Sequence, residues 1–195
     1  MRRKNSSEVA GERLYRNYNA PAMAELAKTT LDALQARICR VLPAQIRAAV
    51  EALDDDQIWW RPNETSNSIG NLVIHVTGSL NHYLNRDLGA LEYTRDRPAE
   101  FAERRRIPRA ELMAAFEAMV ANAEKTFQKL TPERLTEPST EPKMYTLIVE
   151  DLIGVVTHLA NHTGQIVWIA KMMKEGVFDE VWMRTHKRLG GWKAS

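Results

Sequence analysis

A single cysteine, Cys39, is all the chain carries, so no disulfide can form within it, and a lone thiol fits a reducing compartment. Glycine and proline are scarce, nine and eight in 195 residues, and they gather between patterned stretches. That scarcity excludes collagen-like and low-complexity classes. No apolar run approaches the ~20 residues of a membrane-crossing helix. Met1-Arg2-Arg3-Lys4 leads into polar residues and not into the apolar stretch of a secretion signal. Charge of one sign is missing too: 27 basic against 25 acidic residues leave a net charge of +2. A nucleic-acid or anionic-membrane partner calls for a larger basic excess or a broad patch. The short run Arg104-Arg105-Arg106 reads as a solvated loop. Strand-like alternation of any length is absent, as is an internal repeat. The expectation from these features is a cytoplasmic protein with no nucleic-acid and no membrane partner.

What is present is helical. Hydrophobic residues at 44% and charged residues at 27% suit a globular chain long enough to bury a core. From Met23 onward, Leu26, Leu31, Leu34, Ile38, Val41, Leu42, Ile46, Val50 and Leu53 recur at spacings of three and four, the period of one helix face. Pro43 is expected to kink this run or split it. Residues 54–63 form a connection, and Trp59-Trp60 within it is expected to plug an end of the fold. A second helix starts near Ser66–Ser68, where polar residues can cap it. Ile69, Leu72, Val73, Val76, Leu80, Tyr83 and Leu84 make its stripe, and Gly89 ends it. Residues 90–107 read as a charged loop. Pro108 suits the first turn of a third helix faced by Leu112, Met113, Phe116, Met119, Val120, Ala123 and Phe127. A fourth run covers Thr146–Met173, with Thr146 as its cap and Glu150 and Asp151 in its first turn. The expected organisation is a polar arm at 1–20, an all-α four-helix bundle at 21–176, and a tail at 177–195, in which His186 receives no role.

His158 and His162 stand out. Residues at i and i+4 lie one above the other on a helix face, where two imidazoles can share one metal ion. Five histidines can fall into such a pair by accident, so the pair alone is not decisive. It is not a zincin motif, because Leu159 follows the first histidine where a glutamate is needed. Nor is it the Glu-x-x-His pattern of di-iron bundles. A third ligand must come from elsewhere; His75 is best placed, with His82 and Asp151 in reserve. At ~100° per residue, the histidines lie roughly 80–120° off the centres of their apolar stripes, which places the site at a rim of the bundle. Gln165, one turn after His162, is positioned to orient a ligand or brace an imidazole. Cys39, beside Ile38, reads as a packed thiol.

Trp59-Trp60-Arg61-Pro62-Asn63, then Asn67-Ser68-Ile69-Gly70-Asn71-Leu72 and His75, and finally His158-x3-His162-Thr163-Gly164-Gln165-Ile166 together resemble the DinB/YfiT-like superfamily. The flanking Thr94-Arg95-Asp96-Arg97 and Ile107-Pro108-Arg109 agree with an uncharacterised bacterial branch of it. The resemblance spans about residues 25–175. It implies a four-helix bundle in which His75, His158 and His162 bind one divalent metal, zinc or nickel, and a homodimer. It also implies a metal-dependent enzyme that transfers a low-molecular-weight thiol or hydrolyses a small-molecule substrate. Asn71, His82 and Gln165 are the candidates for bracing the ligands or lining a substrate pocket. Some relatives carry a further histidine where this chain has Gly154. The alternative is a non-catalytic homodimeric metal-binding or sensing protein.

Overall fold

A computed structural model describes residues 6–140, 145–177 and 179, with side chains from residue 20 onward; His186 and the rest of the tail lie outside the described residues. Three helical pieces form the first rod. They are α1 (Ser6–Gln35), a π-helical turn (Ala36–Val41) and α2 (Leu42–Glu51). Pro43 cannot donate to the carbonyl of Cys39, and its ring crowds that group. The widened turn just ahead of it absorbs the misfit, since the backbone stays helical at both Gln35 and Leu42. The expected break is therefore a π turn inside a continuous rod. Helix also begins earlier than the apolar period, at Ser6. Along that rod the core contact starts later than the period suggests, because Met23 and Leu26 are 61% and 58% exposed whereas Leu31 is buried.

Asp54 opens the short α3 (Asp55–Ile58) by accepting from the Gln57 backbone N–H at 2.8 Å, while the Gln57 side chain accepts from Asp54 N–H at 3.0 Å. Trp59 then wedges into the fold. Its indole N–H donates to the Ile107 carbonyl at 3.0 Å, and its ring fills space that only glycine leaves at position 70, where a Cβ would lie 2.8 Å from three ring atoms.

The second rod is α4 (Ile69–Leu80) with a π turn, Asn81–Arg86. Ser68 caps it, accepting from Asn71 N–H at 3.1 Å, and Asn71 Oδ1 accepts in return from Ser68 N–H. The stretch expected to be loop holds a helix, α5 (Arg97–Ala102). Asp96 accepts from Ala99 N–H at 3.0 Å, and Pro98 sits in the first turn, where its missing N–H costs nothing. The third rod is α6 (Arg109–Lys129) and the fourth α7 (Ile148–Met173). The cap of α7 is Glu150, which reaches back to the N–H groups of Thr146 and Leu147 at 2.7 and 2.9 Å; the Thr146 side chain does not supply it. Among the described residues there is no strand, only one isolated bridge between Pro138 and Leu147.

The rods close a ring of contacts: α2 on α7, α7 on α4, α4 on α6, and α6 back onto the first rod. Ile38, Ile46, Val76, Phe116, Leu152, Leu159 and Ile166 meet inside it with no solvent exposure. Among the described residues, no helix is long and apolar enough to cross a membrane. Phe116 is the largest of the fully buried side chains. Phe116→Ala is expected to cost about 3–5 kcal/mol in a denaturant titration; a loss under ~1 kcal/mol would mean that α6 does not pack as described.

Candidate metal centre

The contact between α4 and α7 brings the histidines together. His75 follows the Ser68 cap by seven residues, about two turns, so the cap sets which way it faces. His158 and His162 stack on the opposing face of α7. Ring centroids are 5.0 Å apart for His75 and His158, 4.8 Å for His75 and His162, and 4.5 Å for His158 and His162. One ring nitrogen from each lies within 4.8 Å of the others, and His75 Nε2 is 3.0 Å from His158 Nε2. His75 is 4% exposed, deeper than a rim position, because α5 covers it: the Phe101 ring centroid lies 4.5 Å from the His75 ring. The other two rings are half-buried.

The opposite edge of each ring is occupied. His75 Nδ1 faces Glu100 Oε2 at 2.8 Å, and both side chains are buried. An Arg95 terminal nitrogen also stands 3.2 Å from Nδ1, but it donates to Glu100 at the shorter 2.9 Å; with the carboxylate, which only accepts, as the closer partner of Nδ1, the ring proton belongs there and the Nε2 lone pair is left for the cluster. Arg95 holds that carboxylate in a two-pronged grip, Nε to Oε1 at 2.7 Å and a terminal nitrogen to Oε2 at 2.9 Å. His162 Nδ1 faces the Gln165 side-chain oxygen at 2.9 Å, and His158 Nδ1 lies 3.5 Å from Ser79 Oγ, a long contact. Burial lowers the His75 pKa, a shift partly offset by the Glu100 hydrogen bond. Burial, then the charges of the neighbouring histidines and Arg95, pull His158 down to about 4. The Nε2 atoms of His75 and His158 meet at one place, with a nitrogen of His162 within 4.8 Å, and unprotonated imidazole nitrogens gathered so are what a divalent cation needs. Nitrogens 3.0 Å apart are spaced as neighbouring ligands on one ion at ~2.0–2.1 Å.

The remaining candidates fall into place around this centre. Asn71 stands behind it: its amide donates to the carbonyls of Glu100 and Glu103 at 3.2 and 3.1 Å, fastening α5 to α4. His82 and Asp151 are not in the histidine cluster; both line a cavity of about 470 Å³ that His75 and His158 also border. His82 Nε2 is 3.1 Å from an Arg86 nitrogen, and Asp151 accepts from Ser139 Oγ at 2.8 Å. Arg97, Tyr83 and Tyr145 share the wall. At Gly154 there is no imidazole; the Tyr145 phenol packs over it, and a Cβ there would lie 2.7 Å from Tyr145 Cζ. Cys39 is buried, and burial raises its pKa to about 12, so it is a packed thiol. Arg106 pairs with Asp56, and Arg105 with Glu103 at 2.6 Å, and both arginines are exposed. Sequence reasoning missed Glu100, Gly78 and Ser79. Asp96 followed by Arg97-Pro98 carried the signal for α5, a polar cap with proline in the first turn.

These shifts give the metal-free protein a pH dependence. His158 holds its proton less tightly folded than unfolded, so unfolding takes up a proton as pH falls below the ordinary value of 6.5. The stability from the neutral ring is complete above 6.5 and is lost progressively down to about 4. The urea midpoint of metal-free wild type is expected to fall from pH 7 to 5.5, and to fall less in His158→Asn. Equal slopes in the two proteins would contradict the buried, neutral ring.

None of the curated proteins compared with the chain matches it. A family profile described as the DinB superfamily matches residues 39–166, a span that takes in α2 to α6, most of α7 and all three clustered histidines. By its sequence and its helical fold, with three histidines gathered between α4 and α7, the chain belongs to the DinB superfamily.

Proposed function

We propose that this protein is a divalent-metal-dependent enzyme acting on a small molecule, by transfer of a low-molecular-weight thiol or by hydrolysis. The observation that carries the reading is the three-histidine cluster with each Nδ1 turned to an oxygen, beside a cavity of about 470 Å³. A structural zinc site is closed by four protein ligands, whereas a catalytic one keeps a position open. Among the described residues the cluster offers three ligands, and the Glu100 carboxylate lies behind His75 on its other nitrogen. A divalent ion held by three neutral imidazoles keeps its charge and lowers the pKa of water or thiol beside it toward neutrality. Protein groups then set the rest. Arg95 and Glu100 hold His75 still, and Gln165 does the same for His162. Tyr83, Tyr145 and Arg97 offer hydroxyl and cationic groups to whatever enters the cavity. Zinc and nickel both accept imidazole. The buried, unreactive Cys39 leaves any thiol to be supplied by a second small molecule.

Wild type is expected to take up one zinc, nickel or cobalt ion per chain, and His158→Ala to lose more than ~100-fold in affinity, beyond the ~10–100-fold typical of residues behind a ligand. A sulfur-to-metal absorption band on adding a small thiol to the cobalt form favours transfer. Hydrolysis of a test ester without such a band favours the hydrolase. No metal uptake by wild type would overturn the proposal.

A homodimer in the cytoplasm is part of the same reading. Ile153, Trp168 and Met172 are 51%, 62% and 47% exposed and share one outward face of α7, as ~100° per residue places them within about a third of a turn. Trp168 and Met172, one turn apart, would form the centre of a contact that covers them, and two-fold pairing is the commonest closed assembly. Trp168→Glu is expected to convert a dimer to monomer in sedimentation at micromolar concentration; a monomeric wild type would refute the dimer.

A further inference from the structure

Gly78 lies three residues after His75 on α4, so the two share a face. A side chain has no room there. A Cβ built on Gly78 would collide with Glu100 Oε1 and come within 2.9 Å of Glu100 Cδ. The Glu100 carboxylate thus occupies the volume that any other residue at position 78 would fill. Although a carboxylate ends a flexible side chain, this one is not free to swing aside. Arg95 grips both its oxygens, and Asn71 ties the Glu100 and Glu103 carbonyls to α4. Moving it breaks the bond to His75 Nδ1 or the pair with Arg95, inside a region where Glu100 is 5% exposed.

We propose that Gly78 is a positioning residue of the metal centre: its missing side chain is the seat from which the Glu100 carboxylate fixes the His75 proton on Nδ1 and turns Nε2 toward His158 and His162. The proposal rests on the reading that these three histidines hold a divalent ion. It explains why a glycine, a poor helix former, stands buried in the last turn of α4, inside the rod that the π turn continues. Alanine at 78 improves the helix locally and damages the site, so stability and metal binding respond differently. Gly164 supplies the control. It sits two residues from His162 in α7, and a Cβ there meets nothing within 4 Å.

The test uses the full chain, with zinc affinity read by competition with a chromophoric chelator and the His75 proton position read by nitrogen-15 NMR of the metal-free protein. Wild type is expected to show His75 protonated on Nδ1. Gly78→Ala is expected to lose ~10–100-fold in zinc affinity, the range for disturbing a ligand's outer partner, and to move the His75 proton off Nδ1. Gly164→Ala is expected to bind zinc as wild type does. Adding Gly78→Ala to Glu100→Ala is expected to cost no further affinity, because the colliding carboxylate is gone; such non-additivity is the mark of coupled neighbours. Wild-type affinity and an unmoved proton in Gly78→Ala would overturn the proposal, as would an equal Gly78→Ala loss in the Glu100→Ala background. If Gly78→Ala does not fold, the double variant is still expected to fold, and its failure would assign Gly78 to helix packing alone. Absence of zinc binding in wild type would refute the metal reading itself, and the NMR result would then decide the seat by itself.

Discussion

A buried imidazole can serve a shared site only if something equally buried decides which of its nitrogens carries the proton. Here that is the Glu100 carboxylate, 2.8 Å from His75 Nδ1. Burying a carboxylate costs several kcal/mol unless its charge is met. Arg95 meets it with two hydrogen bonds, and its own side chain is 7% exposed. The trio His75, Glu100 and Arg95 is therefore one coupled unit, in which removing one member loosens the hold on the other two. Such a unit is weak evidence for stability and good evidence for a geometry that must be held.

The bundle exists, as far as this centre is concerned, to set two helices against each other at the right height. Ser68 fixes where α4 starts, and with it the direction of His75. Glu150 fixes where α7 starts, and with it the height of His158 and His162. The shared core of Val76, Leu152, Leu159 and Ile166 holds the two rods in contact. On the other flank α5 acts as a cover. Asn71 pins its end, Phe101 lies against His75, and Glu100 enters through the gap at Gly78. One face of the histidine cluster is thus closed by protein, while the side toward Tyr83, Arg97 and Tyr145 borders the cavity.

The helices were legible because apolar spacing at 3.6 residues reports burial directly. Ile46, Leu72, Phe116 and others named from their period alone are buried. The histidine pair was legible for the same reason: i and i+4 share a face in any helix. His75 needed more, since one histidine on a stripe's flank has no spacing partner; pattern ranked it ahead of His82 and Asp151, and the family resemblance pointed to the same residue. Depth was misjudged because the angular count sees one helix at a time, and a covering element such as α5 lies outside it. Glu100 was invisible for a related reason. It sits in a segment whose charges, Arg95, Arg97 and Arg104 to Arg106, look solvated, and nothing local distinguishes the one acid that turns inward from those that do not. Gly78 could be noticed only after the carboxylate in its place was seen. Pro43 marked a local disturbance correctly in position; its outcome, a π turn in an unbroken rod, depended on packing that the sequence pattern does not encode.

Anomalous diffraction from a crystal of the zinc-loaded protein tests the central claim most directly. The account predicts one zinc peak per chain, ~2.0–2.2 Å from the Nε2 atoms of His75, His158 and His162, with Glu100 still on His75 Nδ1 and at least one coordination position open to the cavity. Zinc bound through Nδ1 of His75, zinc ligated by Glu100, or a peak away from the three rings would contradict it.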